Sequence, residues 1–317
     1  MATFIDGFEQ FDGDRTAALM RMAGYSVGGV TLAAGRKGNS RSVSCYRATL
    51  SRAWSMVDNL LTLGFAVKFD QRGPLLSVGS GANQLYLWVD PETGLVNLGT
   101  GLAAGTPGYI NPLKNRWYYF ELQLDKSTSK ATLFVNGKQD ISIPLPSFIT
   151  GNLTVLLNPF QLFVAPKEDY GTRLYDDLYL NDGPRLGPIQ VTSRFATADG
   201  SKTGWSFDGA ATRWQAVSPP INELDKFIYT AIDGNENSFI SGTSLPDNNP
   251  IRYLQLVTLF RKATSDPMSL DFNIGSQVKR ESNISRDWTF RYTMMSASGY
   301  DADSIKAAEF GVKLILG

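Results

Sequence analysis

The chain has 317 residues, 43% hydrophobic and 19% charged, which suits roughly two folded domains and excludes a disordered chain. Its 30 cations cancel its 30 anions, so a general nucleic-acid binder built on a basic stripe is excluded, and no apolar run is long enough to span a bilayer. There is no histidine and a single cysteine, Cys45, which removes the commonest general base, the commonest metal ligand, an intrachain disulfide and any cysteine-based zinc site.

Taken in chain order, the start Met1-Ala-Thr-Phe-Ile-Asp-Gly7 has no basic segment and no apolar core of a signal peptide, so synthesis in a cytoplasm without general export is expected. Residues 17–22 suit a short turn of helix. Between residues 15 and 52 seven cations occur with no carboxylate: Arg15, Arg21, Arg36, Lys37, Arg41, Arg47 and Arg52. They read as a solvated surface or as a contact face for an acidic partner, with Arg36, Lys37 and Arg41 as its candidate residues. Cys45 lies in the alternating run Ser42-Val-Ser-Cys-Tyr46 and reads as a buried small hydrophobe, the other reading being a reactive thiol.

Alternation then becomes the dominant pattern. Phe65-Ala-Val-Lys-Phe69 alternates, and Leu85-Tyr-Leu-Trp-Val89 puts Leu85, Leu87 and Val89 on one face with Tyr86 and Trp88 on the other. Pro91-Glu-Thr-Gly94 reads as a turn. Phe120, Leu122 and Leu124 share an inward face, with Tyr119, Glu121 and Gln123 outward. Asn136-Gly137 between two alternating runs is a two-residue hairpin signature, because both residues tolerate the positive φ of a type I′ turn. Two glycines and two prolines within residues 182–188 predict a linker. Further on, Asp303-Ser-Ile-Lys-Ala-Ala308 is the best helix candidate and 310–316 a closing strand.

Few motifs carry chemistry. Gly24-Tyr-Ser-Val-Gly28 matches a nucleophile elbow, but no histidine exists to take the serine proton and the next residues look like a strand. Ser127-Thr-Ser-Lys130, with Lys202-Thr-Gly204, matches penicillin-recognising elements, yet Ser127 falls in a hairpin turn. Asp233-Gly-Asn-Glu-Asn237 begins like a calcium loop and then fails, with Ser238 and Ser244 at the positions that need Gly and Glu. Asn152-Leu-Thr and Asn283-Ile-Ser are chance sequons. The carboxylate pairs Asp176/Asp177, Glu9/Asp12 and Glu168/Asp169 remain, and sequence alone does not exclude a glycosidase-type pair. Adjacent residues on a strand point to opposite faces, so Asp176 and Asp177 are not expected to line one site; they read as structural carboxylates that accept backbone or arginine hydrogen bonds.

The order of pieces over residues 1–182 resembles a concanavalin-A-like, laminin-G-type jelly roll. It is carried by Leu63-Gly-Phe-Ala-Val-Lys-Phe69, Leu85-Tyr-Leu-Trp-Val-Asp90, Trp117-Tyr-Tyr-Phe-Glu121, Val135-Asn-Gly-Lys138 and Leu174-Tyr-Asp-Asp-Leu-Tyr-Leu180. Such a fold implies that residues 4–8 pair beside residues 178–180. In the second part, Leu186-Gly-Pro-Ile-Gln-Val191, Thr197-Ala-Asp-Gly-Ser-Lys-Thr-Gly-Trp-Ser206 and Ala308-Glu-Phe-Gly-Val312 are similar to a pattern in structural proteins of tailed bacteriophages, where it follows a lectin-like domain. Phe195-Ala196 departs from that pattern, where a Pro-containing pair is common.

The expectation is therefore an all-β protein. Residues 1–185 would form a lectin-like antiparallel β-sandwich, and residues 189–317 a smaller β-rich assembly domain with one short helix. The resemblance implies a non-enzymatic structural subunit of a virion, in the tail, baseplate or neck, with no catalytic residue, cofactor or metal. Its expected partners are other virion proteins, as a homo-oligomer or in many copies per particle, and not nucleic acid or membrane. A capsid decoration protein and a module binding host glycan near residues 104–111 are the alternatives. Tyr86 and Trp88 join Arg36, Lys37 and Arg41 as a candidate contact surface, within a wider aromatic set that includes Tyr109, Trp117 and Tyr119; core packing is the competing reading.

Overall fold

The computed structural model describes residues 3–11, 15–37, 40–101, 105–159, 171–218, 224–242, 250–282 and 284–316. The protein is all-β, with 51% of it in strands and 7% helical. Two compact units are present. The first comprises Met1–Glu9 and Thr16–Val191, the second Gln10–Arg15 and Thr192–Gly317.

In the first unit the strands are β1 (Thr3–Asp6), β2 (Tyr25–Gly28), β3 (Thr31–Ala34), β4 (Arg41–Tyr46), β5 (Thr49–Ser55), β6 (Leu60–Phe69), β7 (Gly73–Ser80) and β8 (Asn83–Val89). They continue as β9 (Val96–Gly99), β10 (Thr106–Pro107), β11 (Tyr118–Asp125), β12 (Lys130–Val135), β13 (Lys138–Pro144), β14 (Asn152–Leu157) and β15 (Thr172–Asn181), and a short helix α1 spans Thr16–Met22. They form two antiparallel sheets. One runs β13-β12-β11-β6-β15-β4-β3, with β1 also on β15, and the other β10-β9-β8-β7-β14-β5-β2. This is a lectin-like jelly-roll sandwich, and the first strand pairs with the last, Phe4 opposite Leu180 and Asp6 opposite Leu178.

Between the sheets the rings of Phe65, Phe120 and Tyr175 meet at 5.8–5.9 Å, and the Tyr175 hydroxyl crosses to donate to the Leu75 carbonyl in the second sheet. Inward residues are thus fixed, and with them the outward ones. The β12–β13 hairpin turns on Asn136 and Gly137 at φ 50° and 83°, the positive pair that the Asn-Gly signature predicts.

One irregularity decides the geometry of β15. On its β6 side, Asp176 lies opposite Ala66 but Tyr179 lies opposite Gly64, so β15 carries one extra residue there. On its other edge the neighbour changes at the same place, from β4 at Tyr175 to β1 at Leu178. The extra residue is a bulge, and Asp177 sits in it at φ 50°, a conformation that Asp tolerates better than most residues.

The second unit contains β16 (Ala198–Thr203), β17 (Ser206–Asp208), α2 (Arg213–Val217), β18 (Phe227–Tyr229), β19 (Glu236–Ile240), β20 (Leu254–Phe260), β21 (Met268–Ile274), β22 (Gln277–Glu281), β23 (Thr289–Met295), α3 (Ala302–Ala307) and β24 (Phe310–Leu316). A sheet of order β16-β19-β24-β21-β22 is accompanied by two ribbons, β17-β18 and β20-β23. Leu270, Phe272, Ile274, Ile284, Met295, Ile305 and Leu314 form its core. The expected helix is present as α3, one residue earlier than its sequence suggests, because Asp301 caps it by accepting from the Ser304 amide. Helix α2 was not anticipated, since five residues are too few to show a helical period.

Candidate functional site

Three of the first unit's buried acids, Glu121, Asp176 and Asp177, lie on the outward face of the larger sheet. Glu121 on β11 is fully buried there, as are Asp176 and Asp177 on β15, at 0%, 1% and 2% exposure. The alternation rule places Asp176 and Asp177 on opposite faces, and the structure corrects this. Asp177 sits in the bulge, where the strict alternation is interrupted, and both carboxylates face Arg36. Arg36 lies in the turn between β3 and β4. Its backbone N–H donates to Asp176 Oδ2 at 2.7 Å, and its Nη2 lies 2.7 Å from Asp177 Oδ2. Asp176 Oδ1 accepts from the Asp177 amide at 2.8 Å, and the Tyr119 hydroxyl donates to the Asp177 carbonyl at 3.1 Å, with the Arg36 guanidinium over the Tyr119 ring.

Glu121 has its own set of donors. Its Oε1 accepts from the Tyr179 hydroxyl at 2.6 Å and the Gly187 amide at 2.9 Å, and its Oε2 pairs with Arg185 Nη1 at 2.9 Å. The Tyr179 ring crosses β6 at Gly64, where any Cβ would overlap it. The Arg185 guanidinium carbon also stands over the Phe134 ring, 3.6 Å from its centroid.

The cover is the chain's own segment 183–191. Besides Arg185 and Gly187 on Glu121, the Ile189 carbonyl accepts from Arg36 Nη2 at 2.7 Å, and the Val191 amide donates to Asp177 Oδ1 at 2.6 Å. The Gly/Pro-rich stretch that reads as a linker is thus a packed strap, with Leu186 buried beneath it. Burial and then the neighbouring Asp176 charge push Asp177 up to about 7, against the pull of Arg36; burial likewise raises Asp176 and holds the Tyr119 hydroxyl well above its ordinary range. In this conformation the acids cannot meet a solute.

The remaining candidates scatter. Trp88 is 3% exposed and packs against Gly105, so it is corrected from a contact surface to core. Arg36 is corrected likewise, since its charge and its carbonyl contact are used within the unit. Lys37 is exposed, Arg41 and Tyr86 are half-buried, and Arg52 folds back over the Phe4 and Tyr25 rings, so the seven cations are no single patch. Tyr119 is buried and Trp117 half-buried beside Lys68. Burial lifts the Cys45 thiol to about 12, which leaves it inert. Asp12, Glu168, Asp169, Ser244 and Asn283 lie outside the described residues.

One surface feature stands out. Tyr109 is 91% and Leu113 59% exposed, on a loop whose backbone is fixed: the Tyr109 and Ile110 amides both donate to Asp140 Oδ1, at 2.7 and 3.1 Å, and the Leu113 amide donates to the Tyr118 hydroxyl.

In the second unit the two sequence patterns meet. Glu309 accepts from the Ser201 amide and hydroxyl at 2.8 Å and from the Ser238 hydroxyl at 2.6 Å, tying β16, β19 and the start of β24 together. Those serine bonds hold the Glu309 carboxyl below its usual range. Gly200 and Gly311 lie where a Cβ would overlap Ser238 and the Asn237 carbonyl, which accounts for the glycines of both patterns. A cleft of about 400 Å³ is lined by Gly209, Trp214, Gln215, Ser218 and Lys226. Among the described residues no group of three or more acid, cysteine or histidine side chains is placed to hold a metal ion.

No family model matches the chain, and no curated protein sequence matches it. Solved structures similar to it include a sialidase (12% identity, TM-score 0.35, covering 50% of this chain and 17% of that one). Domain 4 of a GH43 extracellular arabinanase from Geobacillus stearothermophilus, in complex with arabinotriose, is similar at 16% identity and TM-score 0.37, covering 56% of this chain and 81% of that one. An alginate lyase of polysaccharide lyase family 7 is similar at 8% identity and TM-score 0.34, covering 44% and 77%. The chain thus spans a small part of the sialidase and most of the other two. At TM-scores of 0.34–0.37 these likenesses assign no substrate and no residue role. They do correct the expectation of a chain without enzymatic activity: the proteins that it resembles include glycan-cleaving enzymes, so that exclusion no longer stands.

Proposed function

We propose that the chain is a structural subunit of a tailed-bacteriophage particle, in its tail, baseplate or neck, that works through contacts with other virion proteins. The order of sequence patterns, from the Asp-Asp strand through 186–191 and 197–206 to 308–312, supports the phage assignment. The observation that carries the contact role is the loop at 105–113. It presents Tyr109 and Leu113 outward on a backbone already fixed by Asp140 and Tyr118, so an interface formed there costs little ordering entropy. Tyr109→Ala is expected to weaken co-sedimentation of the protein with particles at least tenfold while leaving its unfolding midpoint unchanged. Undiminished association would remove the loop from the interface.

A capsid decoration protein uses the same contact logic at a different place on the particle. A second class of reading, host glycan as the partner, is favoured by the same exposed Tyr109 ring, since an aromatic face suits a sugar ring. Binding on a glycan panel that Tyr109→Ala abolishes supports it. Shortening of any polysaccharide on that panel would reveal a catalytic activity instead.

A further inference from the structure

We propose that the cleft of the second unit beside α2 is a sugar-binding site: one neutral sugar ring of a glycan stacks on Trp214, and Gln215 and the backbone of the cleft floor meet its hydroxyls.

The first observation is a fixed aromatic wall. Trp214 lies on α2, which is tied down along its length. The Trp214 amide donates to Asp199 Oδ1 at 2.9 Å, Arg213 Nε donates to the Trp205 carbonyl at 2.7 Å, and the hydroxyl of the C-cap Ser218 donates to the Ala196 carbonyl. A wall set before binding loses little ordering entropy when a ligand arrives. The second observation is a set of unused polar groups. Trp214 is half-buried and Gln215 exposed, and among the described residues neither the indole N–H nor the Gln215 side-chain amide makes a hydrogen bond. The indole donates, and the amide both donates and accepts. The third observation is shape. The cleft holds about 400 Å³, a size suited to a small ligand. Gly209 turns its floor at φ 70°, where a Cβ would overlap the Asp225 carbonyl, and Ala210 and Ala211 add only methyl groups. A flat ring therefore reaches the backbone.

These features fit a pyranose, which has an apolar C–H face for an indole and a rim of hydroxyls that both donate and accept. The charged groups around the cleft ask for no charge on the ligand. Arg213 is engaged by the Trp205 carbonyl, the Phe207 ring and Asp199, and Asp208 accepts the Gly209 amide. Lys226 on the wall has a partner of its own within the chain, and Asp225 is exposed. A nucleotide phosphate would require cations that are not so engaged. The site shares no residue with the 105–113 loop of the first unit, so it stands or falls separately from the contact role.

Calorimetric titration of the full chain with neutral oligosaccharides of glucose, galactose and N-acetylglucosamine tests the proposal. Saturable binding of at least one is expected. Trp214→Ala should weaken it about tenfold or more and Gln215→Ala about threefold or more, with Tyr109→Ala unchanged. If Trp214→Ala does not fold, Gln215→Ala, altered at an exposed position, decides. A wild type that binds none of these sugars overturns the proposal, even if a nucleoside or a peptide binds instead. So does sugar binding that keeps its full strength in a folded cleft variant, or that is lost in Tyr109→Ala.

Discussion

At Gly64 the backbone of β6 passes directly beneath the Tyr179 ring, and the Tyr179 hydroxyl reaches Glu121 only because no side chain intervenes. Gly64→Ala forces the ring aside, and its expected cost is about 1–3 kcal/mol, read as a lowered urea midpoint; an unchanged midpoint would show the ring free to move. Arg36 is the complementary case. Arg36→Ala leaves Asp176 and Asp177 buried with no guanidinium, with an expected loss of about 3 kcal/mol near pH 7.5. That loss should shrink as the pH falls toward 5, because protonation relieves the pair; a loss independent of pH would contradict the charge argument. For the wild type the sign is the reverse of the usual acid effect. Asp177 binds its proton more tightly folded than unfolded, so between the ordinary carboxylate range and about pH 7 its contribution to stability falls as pH rises. Asp177→Asn should lack this fall in urea titrations at pH 5 and 7.5.

At the level of elements, Asp140 does for the 105–113 loop what Arg36 does for the strap. Asp140→Ala removes the acceptor of two amides, and exchange protection at Tyr109 and Ile110 should be lost while β11 stays protected. Protection that persists would mean that the loop holds its shape without Asp140. The elements also separate what the sequence makes visible from what it hides. Period-two runs such as 85–89 and 118–124 and the Asn136-Gly137 turn are local signals, and they appear in the structure as strands and a two-residue hairpin. The bulge at Asp177 leaves no such signal. An Asp-Asp pair fits regular alternation as well as it fits a bulge, and only the register against Ala66 and Gly64 distinguishes them. Glu121, Tyr179 and Arg185 were missed for a related reason. Each looks like an ordinary outward polar residue, and their partners lie 58 to 66 positions away in the chain. The strap was misread because glycine and proline mark a chain that leaves a strand without saying where it then packs.

For the molecule as a whole, composition carried the fold class. A balanced, glycine- and aromatic-rich chain with scarce helical period gave an all-β protein. The lack of histidine was a weaker guide to function, since it limits which chemistry a site runs and not whether one exists. In the proposed role the first unit offers a partner the fixed loop tip at Tyr109 and Leu113, while its Glu121 and Asp177 are occupied by the unit's own strap. The central proposal, a virion subunit acting through such contacts, is tested most directly by cryo-EM of whole phage particles assembled in the presence of this chain. The account predicts many copies at one symmetric position on the tail, baseplate or neck, with Tyr109 and Leu113 buried against a neighbouring protein. Particles complete without the chain, or copies present with that loop facing solvent, would contradict it.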